Sequence, residues 1–180
     1  WGRGQLWTAR LGWAVIAGER TVERVGIPLG GGTCTSDVTG LDLSGRGIDD
    51  SSQRAVCGQL ESLDLSGNEI SDLSPLVGLS ALRELNVSGN EVASLSPLMG
   101  LSALERLDVS ANSVSSIAAL SGLASLKYLD LSENALGGAD ALAGLTALEE
   151  LGLRSTGIGD GALSALHGLA SLRRLDIEEN

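Results

Sequence analysis

The chain has 180 residues, of which 43% are apolar and only 2% aromatic, with no phenylalanine at all. That suffices for one domain with a continuous core, and the core must be aliphatic. A formal charge of −11 weighs against nucleic acid or an anionic membrane surface as ligand, since both need clustered Lys and Arg, and favours a neutral or basic protein partner. No run approaches the roughly 18 apolar residues that span a bilayer, so no membrane insertion is expected within this segment.

Residues 1–37 contain three short segments with extended character, QLWTARL, GWAVIAG and TVERVGIPL, broken at Gly18 and at the Gly30-Gly31-Gly32 run. The stretch LGWAVIA from Leu11 to Ala17 faintly imitates a signal peptide behind Arg3 and Arg10. Its apolar part is short and no initiator Met precedes it, so it reads as a strand. All three tryptophans, Trp1, Trp7 and Trp13, fall here. Two readings stay open, a β cap (or the end of a preceding domain) and a ligand site; the need to shield the end of a stack favours the cap. The chain starts at Trp1 and stops at Asn180 within a repeat, as a processed form or a fragment would.

From Val38 onward the chain copies itself. The unit LESLDLSGNEISDLSPLVGLSA from Leu60 to Ala81 returns 22 residues later as LRELNVSGNEVASLSPLMGLSA, and again from Leu104, Leu126 and Leu148. The first copy opens VTGLDLSGRGI at Val38. Each begins L-x-x-L-x-(L/V)-x-x-N or a close variant, a pattern that resembles the leucine-rich repeat family, and the short coils with LSPL resemble its internalin-like bacterial class.

The resemblance covers residues 38–180 and implies an α/β solenoid. Its right-handed coil would have a concave parallel β-sheet and a convex side of 3₁₀ or short helical turns, with six coils and the strand of a seventh. It also implies that Asn68, Asn90, Asn112 and Asn134 lie buried after each strand, their amides bonding backbone groups of adjacent coils. A tight turn leaves donors and acceptors unpaired, and an amide satisfies both kinds. Arg46 and Thr156 depart from the pattern, so the ladder should weaken there.

Within the unit, Leu63 and Leu65 face the core from the strand, and Ile70, Leu73, Leu76 and Leu79 face it from the return half. Pro75 and Gly78 suit turns or 3₁₀ segments there rather than a long helix. The coil from Leu148 to Ser171 has 24 residues, and GDGALSALHGL predicts an α-helical turn begun near Asp160.

Strand alternation sorts the outward side chains into columns. One runs Gly40, Ser62, Glu84, Arg106, Tyr128, Glu150, Arg174. The next is Asp42, Asp64, Asn86, Asp108, Asp130, Gly152, Asp176, followed by Ser44, Ser66, Ser88, Ser110, Ser132, Arg154, Glu178. A fourth, from Glu61 through Arg83, Glu105, Lys127 and Glu149 to Arg173, alternates in sign and reads as a structural ladder in which Glu61 pairs with Arg83. The aspartates repel one another, with only Arg106 and Arg174 beside them. They are either a common filler of this family position or a stripe for a basic partner or a cation such as Ca²⁺.

In the unit from Leu60, only Ser62, Asp64 and Ser66 are left for a partner. The candidate ligand face is therefore Asp64, Glu84, Asn86, Arg106, Asp108, Tyr128, Asp130, Glu150, Arg154, Arg174 and Asp176, with Tyr128 as its anchor.

Support for catalysis is weak. His167, the only histidine, aligns with Val77 and Met99 on the convex side and reads as an exposed bystander, and one His without a Cys cluster is no transition-metal site. The serines lack a His and Asp partner set, and the glycine run lacks the Lys-Ser/Thr of a phosphate loop. No cofactor is expected. Cys57 falls in the core column of Leu79, and Cys34 lies 23 residues earlier, about one coil, within reach of a disulfide but one residue out of phase. A capping Cys pair resembles the start of extracellular repeat domains; the alternative is two reduced, small hydrophobes in a cytosolic protein.

These features together predict a non-catalytic, monomeric module, extracellular or at the cell surface, that presents the concave sheet to a protein or peptide. The alternatives are a cytoplasmic scaffold or regulatory subunit, by analogy with the similar short repeats of a phosphatase-1 regulatory subunit, and the recognition part of a larger enzyme.

Overall fold

The computed structural model describes residues 13–18 and 21–26 by their backbone, and residues 39–49 and 58–180 with their side chains, those of 161 and 163 excepted. Two strands, β1 (Trp13–Gly18) and β2 (Thr21–Gly26), pair antiparallel with Gly18 opposite Thr21. They match two of the three extended segments; QLWTARL, Cys34 and Cys57 lie outside the described residues. Seven three-residue strands follow: β3 (Gly40–Asp42), β4 (Ser62–Asp64), β5 (Glu84–Asn86), β6 (Arg106–Asp108), β7 (Tyr128–Asp130), β8 (Glu150–Gly152) and β9 (Arg174–Asp176). They are parallel, in chain order, and paired so that equivalent positions of successive repeats are neighbours, Leu63 beside Leu85 and Leu85 beside Leu107. At the near edge β1 meets β3 antiparallel through Val15 and Asp42.

The core is a stack of identical layers. Leu60, Leu63, Leu65, Ile70, Leu73, Leu76 and Leu79 are all buried, as are their counterparts one coil on. Each such side chain contributes roughly 1.5–3 kcal/mol by leaving water. Leu175 and Ile177 occupy the same columns but are 39% and 44% exposed, because only one coil packs against them.

On the convex side, 3₁₀ turns form at Ser74–Leu76, Ser96–Leu98, Ala118–Leu120 and Asp140–Gly144. Pro75 and Pro97 sit in the first turn of theirs, where a missing N–H costs nothing. The longer coil behaves as its sequence predicts, with a 3₁₀ turn at Asp160–Ala162 running into α1 (Leu163–Leu166).

Each strand ends in a turn that the asparagines hold. Asn134 is 2% exposed; its Nδ2 donates to its own coil at Leu131 O (3.0 Å) and to the preceding coil at Val109 O (2.9 Å), while its Oδ1 accepts from Val114 N (2.9 Å). Asn68, Asn90 and Asn112 repeat the arrangement. Asn180 extends it at the far end, where its Nδ2 reaches Leu153 O (2.6 Å). At the near end the exposed Arg46 contributes only its backbone N–H, donated to Asn68 Oδ1 (2.8 Å).

The residue before each of these positions is left-handed. Gly45, Gly67 and Gly89 adopt φ near +60°, and so do Ala111 (51°), Glu133 (58°), Ser155 (52°) and Glu179 (60°). Glycine takes this conformation freely, whereas a Cβ makes it cost about 1–2 kcal/mol. Ala111→Gly should therefore raise unfolding stability by roughly 0.5–1 kcal/mol in urea titration. In the same titration Asn134→Ala, which strands Val114 N–H and a share of the Val109 carbonyl, should lower it by about 3 kcal/mol.

Candidate functional site

The outward face of β3 to β9 carries every residue of the candidate ligand face except Arg154, which follows β8. Its second column does not behave as a free acidic stripe. Asp64 Oδ1 accepts from Ser66 N (2.8 Å) and Ser66 Oγ (2.6 Å). Asp42 with Ser44, and Asp108 with Ser110, do the same, and Asp130 accepts from Ser132 N (2.9 Å). Asp64 and Ser66 are thus engaged with each other, and each aspartate closes its own strand as an Asx turn. Asn86 does so equally well, its Oδ1 taking Ser88 N (3.0 Å) and Oγ (2.8 Å). The D-x-S spacing is the sequence signal of these bonds, and counting the carboxylates only as like charges overlooks it.

The Ser44 backbone N–H, and then its hydroxyl, hold the Asp42 carboxyl below the ordinary aspartate range. The charge ladder is real but broken. Arg83 makes no ion pair with Glu61 and pairs with Glu105 (2.7 Å), which also takes Lys127 (2.5 Å); Arg173 pairs separately with Glu149 (3.4 Å). Lys127 first, then Arg83, lower the pKa of Glu105.

In the first column Glu84, Arg106 and Arg174 are exposed and the other four are half-buried. Ser62 Oγ lies 3.3 Å from Glu84 Oε2, and Arg174 pairs with Glu150 at 2.9 Å. The Arg106 guanidinium sits 4.3 Å above the centre of the Tyr128 ring, a cation–π contact worth about 0.5–1 kcal/mol at an exposed site. Burial above all, then the charges of Asp130 and Asp108, raises the Tyr128 pKa. Neither Arg106 nor Arg174 is spent on the aspartates. Where the second column has Gly152, a Cβ would lie 2.4 Å from Asp130 Oδ1, so Asp130 leans over the space that glycine leaves.

Gly40 and Ser62 are the small members of the first column, and beside them the face dips into a hollow of about 440 Å³ edged by Asp42, Glu61, Asp64 and Glu84. Its only cation, Arg83, is held by Glu105. His167 is exposed. Among the described residues no three His, Cys, Asp or Glu side chains converge as a metal site, and no helix is long and apolar enough to cross a membrane.

Two models of this fold family, described as "Leucine Rich repeats (2 copies)" and "Leucine rich repeat", match residues 58–98 and residues 94–136 and 103–158, together more than half of the chain. The chain belongs to the leucine-rich repeat family, whose repeats typically form non-enzymatic protein-interaction modules. Among solved structures it resembles an internalin of Listeria monocytogenes str. 4b F2365 (TM-score 0.58, 23% identity, over 68% of this chain and 43% of that one). Internalin C2 of the same strain matches with TM-score 0.55 and 25% identity over 79% of this chain and 74% of its own. The TLR13–ssRNA13 complex matches with TM-score 0.66 and 29% identity over 81% of this chain and 22% of that one. The chain thus spans less than half the length of the first and last of these. No curated protein sequence matches it.

A depressed carboxyl pKa stabilises the fold above the unfolded value, and that contribution is lost as pH falls through the folded value. Ser44→Ala, which keeps the backbone N–H, should move Asp42 part of the way back to the ordinary aspartate range in an NMR titration and reduce the acid-side loss of stability.

Proposed function

We propose that this chain is a non-catalytic, monomeric module, outside the cell or at its surface, that binds a neutral or basic protein or peptide on the concave sheet. The observation that carries the reading is the first column. Its side chains are the strand residues that no turn uses, and Tyr128 stands half-buried near its middle with Arg106 fixed on its ring. A rigid aromatic presented this way binds at little ordering cost. The hollow beside Gly40 and Ser62, with four carboxylates at its edge, supports a partner that brings Lys or Arg to that end.

The hairpin β1–β2 against the outer edge of β3 supports residues 1–37 as the cap of a solenoid that starts at residue 38. The TLR13 structure is a complex with RNA. A net charge of −11 makes such a ligand unfavourable for this chain.

Affinity capture on the immobilised chain, followed by titration of the recovered partner, tests the reading. Tyr128→Ala should weaken the complex about 30-fold, the loss of an interface hot spot. Changing Asp64, Asp108 and Asp130 to Asn together preserves the Asx turns, as Asn86 demonstrates, and should weaken binding of a basic partner more at low salt than at high. Unchanged affinity in both variants would remove the concave face from the reading.

A further inference from the structure

Successive coils are tied together along their strands and turns by two kinds of link beyond the backbone ladder, the asparagine amides and polar side-chain pairs. Between β4 and β5 these are Asn90, which reaches Leu65 O (2.9 Å), and Ser62 with Glu84 (3.3 Å). Between β5 and β6 they are Asn112 and the Arg83–Glu105 pair, and between β6 and β7 they are Asn134, Lys127–Glu105 and Arg106 on Tyr128. Between β8 and β9 they are densest: Asn180 to Leu153 O, Arg173–Glu149, Arg174–Glu150 and Arg154–Glu179.

The β7–β8 junction has almost none of this. Thr156 occupies the asparagine position, and its hydroxyl stays within its own coil and the next, donating to Leu153 O (2.8 Å) and lying 2.8 Å from Asn180 Oδ1. In place of an amide, the Thr156 backbone carbonyl takes Leu136 N (3.0 Å). Lys127 is turned to Glu105 and Glu149 to Arg173. Gly152 has no side chain to meet Asp130. On the concave side what remains among the described residues is one long bond, Arg154 N to Ser132 Oγ (3.3 Å), while on the convex side α1 packs against the 3₁₀ turn at Asp140–Gly144.

We propose that this junction is a seam. It divides the solenoid into two cooperative blocks, the coils up to residue 147 and residues 148–180, and the second unfolds as a unit while the first stays folded. A stack whose units touch only neighbours is stable as a sum of coil and interface contributions, so the weakest interface is where partial opening begins. The seam crosses the concave face between Tyr128 and Glu150, so unfolding of the second block removes part of the proposed ligand surface.

Residue-level hydrogen exchange on the intact chain tests this. The N–H groups of Leu131 and Glu133 cross the seam, to Gly152 O and Arg154 O, whereas those of Leu153 and Ser155 cross the β8–β9 junction, to Asp176 O and Glu178 O. Opening as a unit predicts one shared protection factor for all four. Val109 and Ala111, which cross the β6–β7 junction, should have protection factors on the order of tenfold higher. Fraying from the end would instead leave Leu153 and Ser155 distinctly less protected than Leu131 and Glu133, and that result, or equal protection of all six, would overturn the proposal. Thr156→Asn, which restores an amide at the seam, should raise the protection of the four amides together; if this variant does not fold, the protection factors of the unmodified chain decide alone.

Discussion

A coil that turns back on itself every 22 residues brings backbone N–H and C=O groups into a dry interior where no further strand or helix can pair them, and the whole architecture depends on how they are satisfied. A buried or half-buried asparagine after each strand from β4 to β7 does it, with two donors and one acceptor facing backbone groups of its own coil and the one before. The left-handed residue that precedes it aims the amide inward. The strands are limited to three residues because the turn must follow at once, and the leucines alternate around it so that every layer presents the same apolar outline. Registry between layers then comes from the amides, which span the gap between coils and leave little freedom to slide.

The same economy governs the outer face. Aspartate and serine two residues apart close each strand by bonding to one another, so a column that looks like free negative charge is largely structural. Long side chains choose among several neighbours. Glu105 has cations on both sides and holds both, which leaves Glu61 and Glu149 to other arrangements. The proposed binding surface falls on the residues that neither turn nor ladder requires.

Much of this was legible in the sequence because a fixed period turns every position into a column, and a column shows its role by what it tolerates. The buried leucines, the asparagine ladder, the 3₁₀ turns at Pro75 and Pro97 and the helical turn after Asp160 all follow from that regularity. The pairing of Glu61 with Arg83 does not hold, since alternation of sign says which neighbours attract but not which of two equal neighbours a flexible Arg will face. The role of the aspartates was hidden because the deciding contact is local, two residues along the strand, while the repeat draws the eye across it. Asn180 as a further rung was obscured by the two-residue insertion in the coil before it.

The first column is Gly40, Ser62, Glu84, Arg106, Tyr128, Glu150 and Arg174, one residue from each coil, and the turn, core and amide ladder place no demand on any of these side chains. The solenoid therefore behaves as a carrier with one writable letter per coil. Substitutions there leave the buried layers untouched and act on the fold only through the pairs that link neighbouring coils, Ser62 with Glu84, Arg106 with Tyr128 and Arg174 with Glu150.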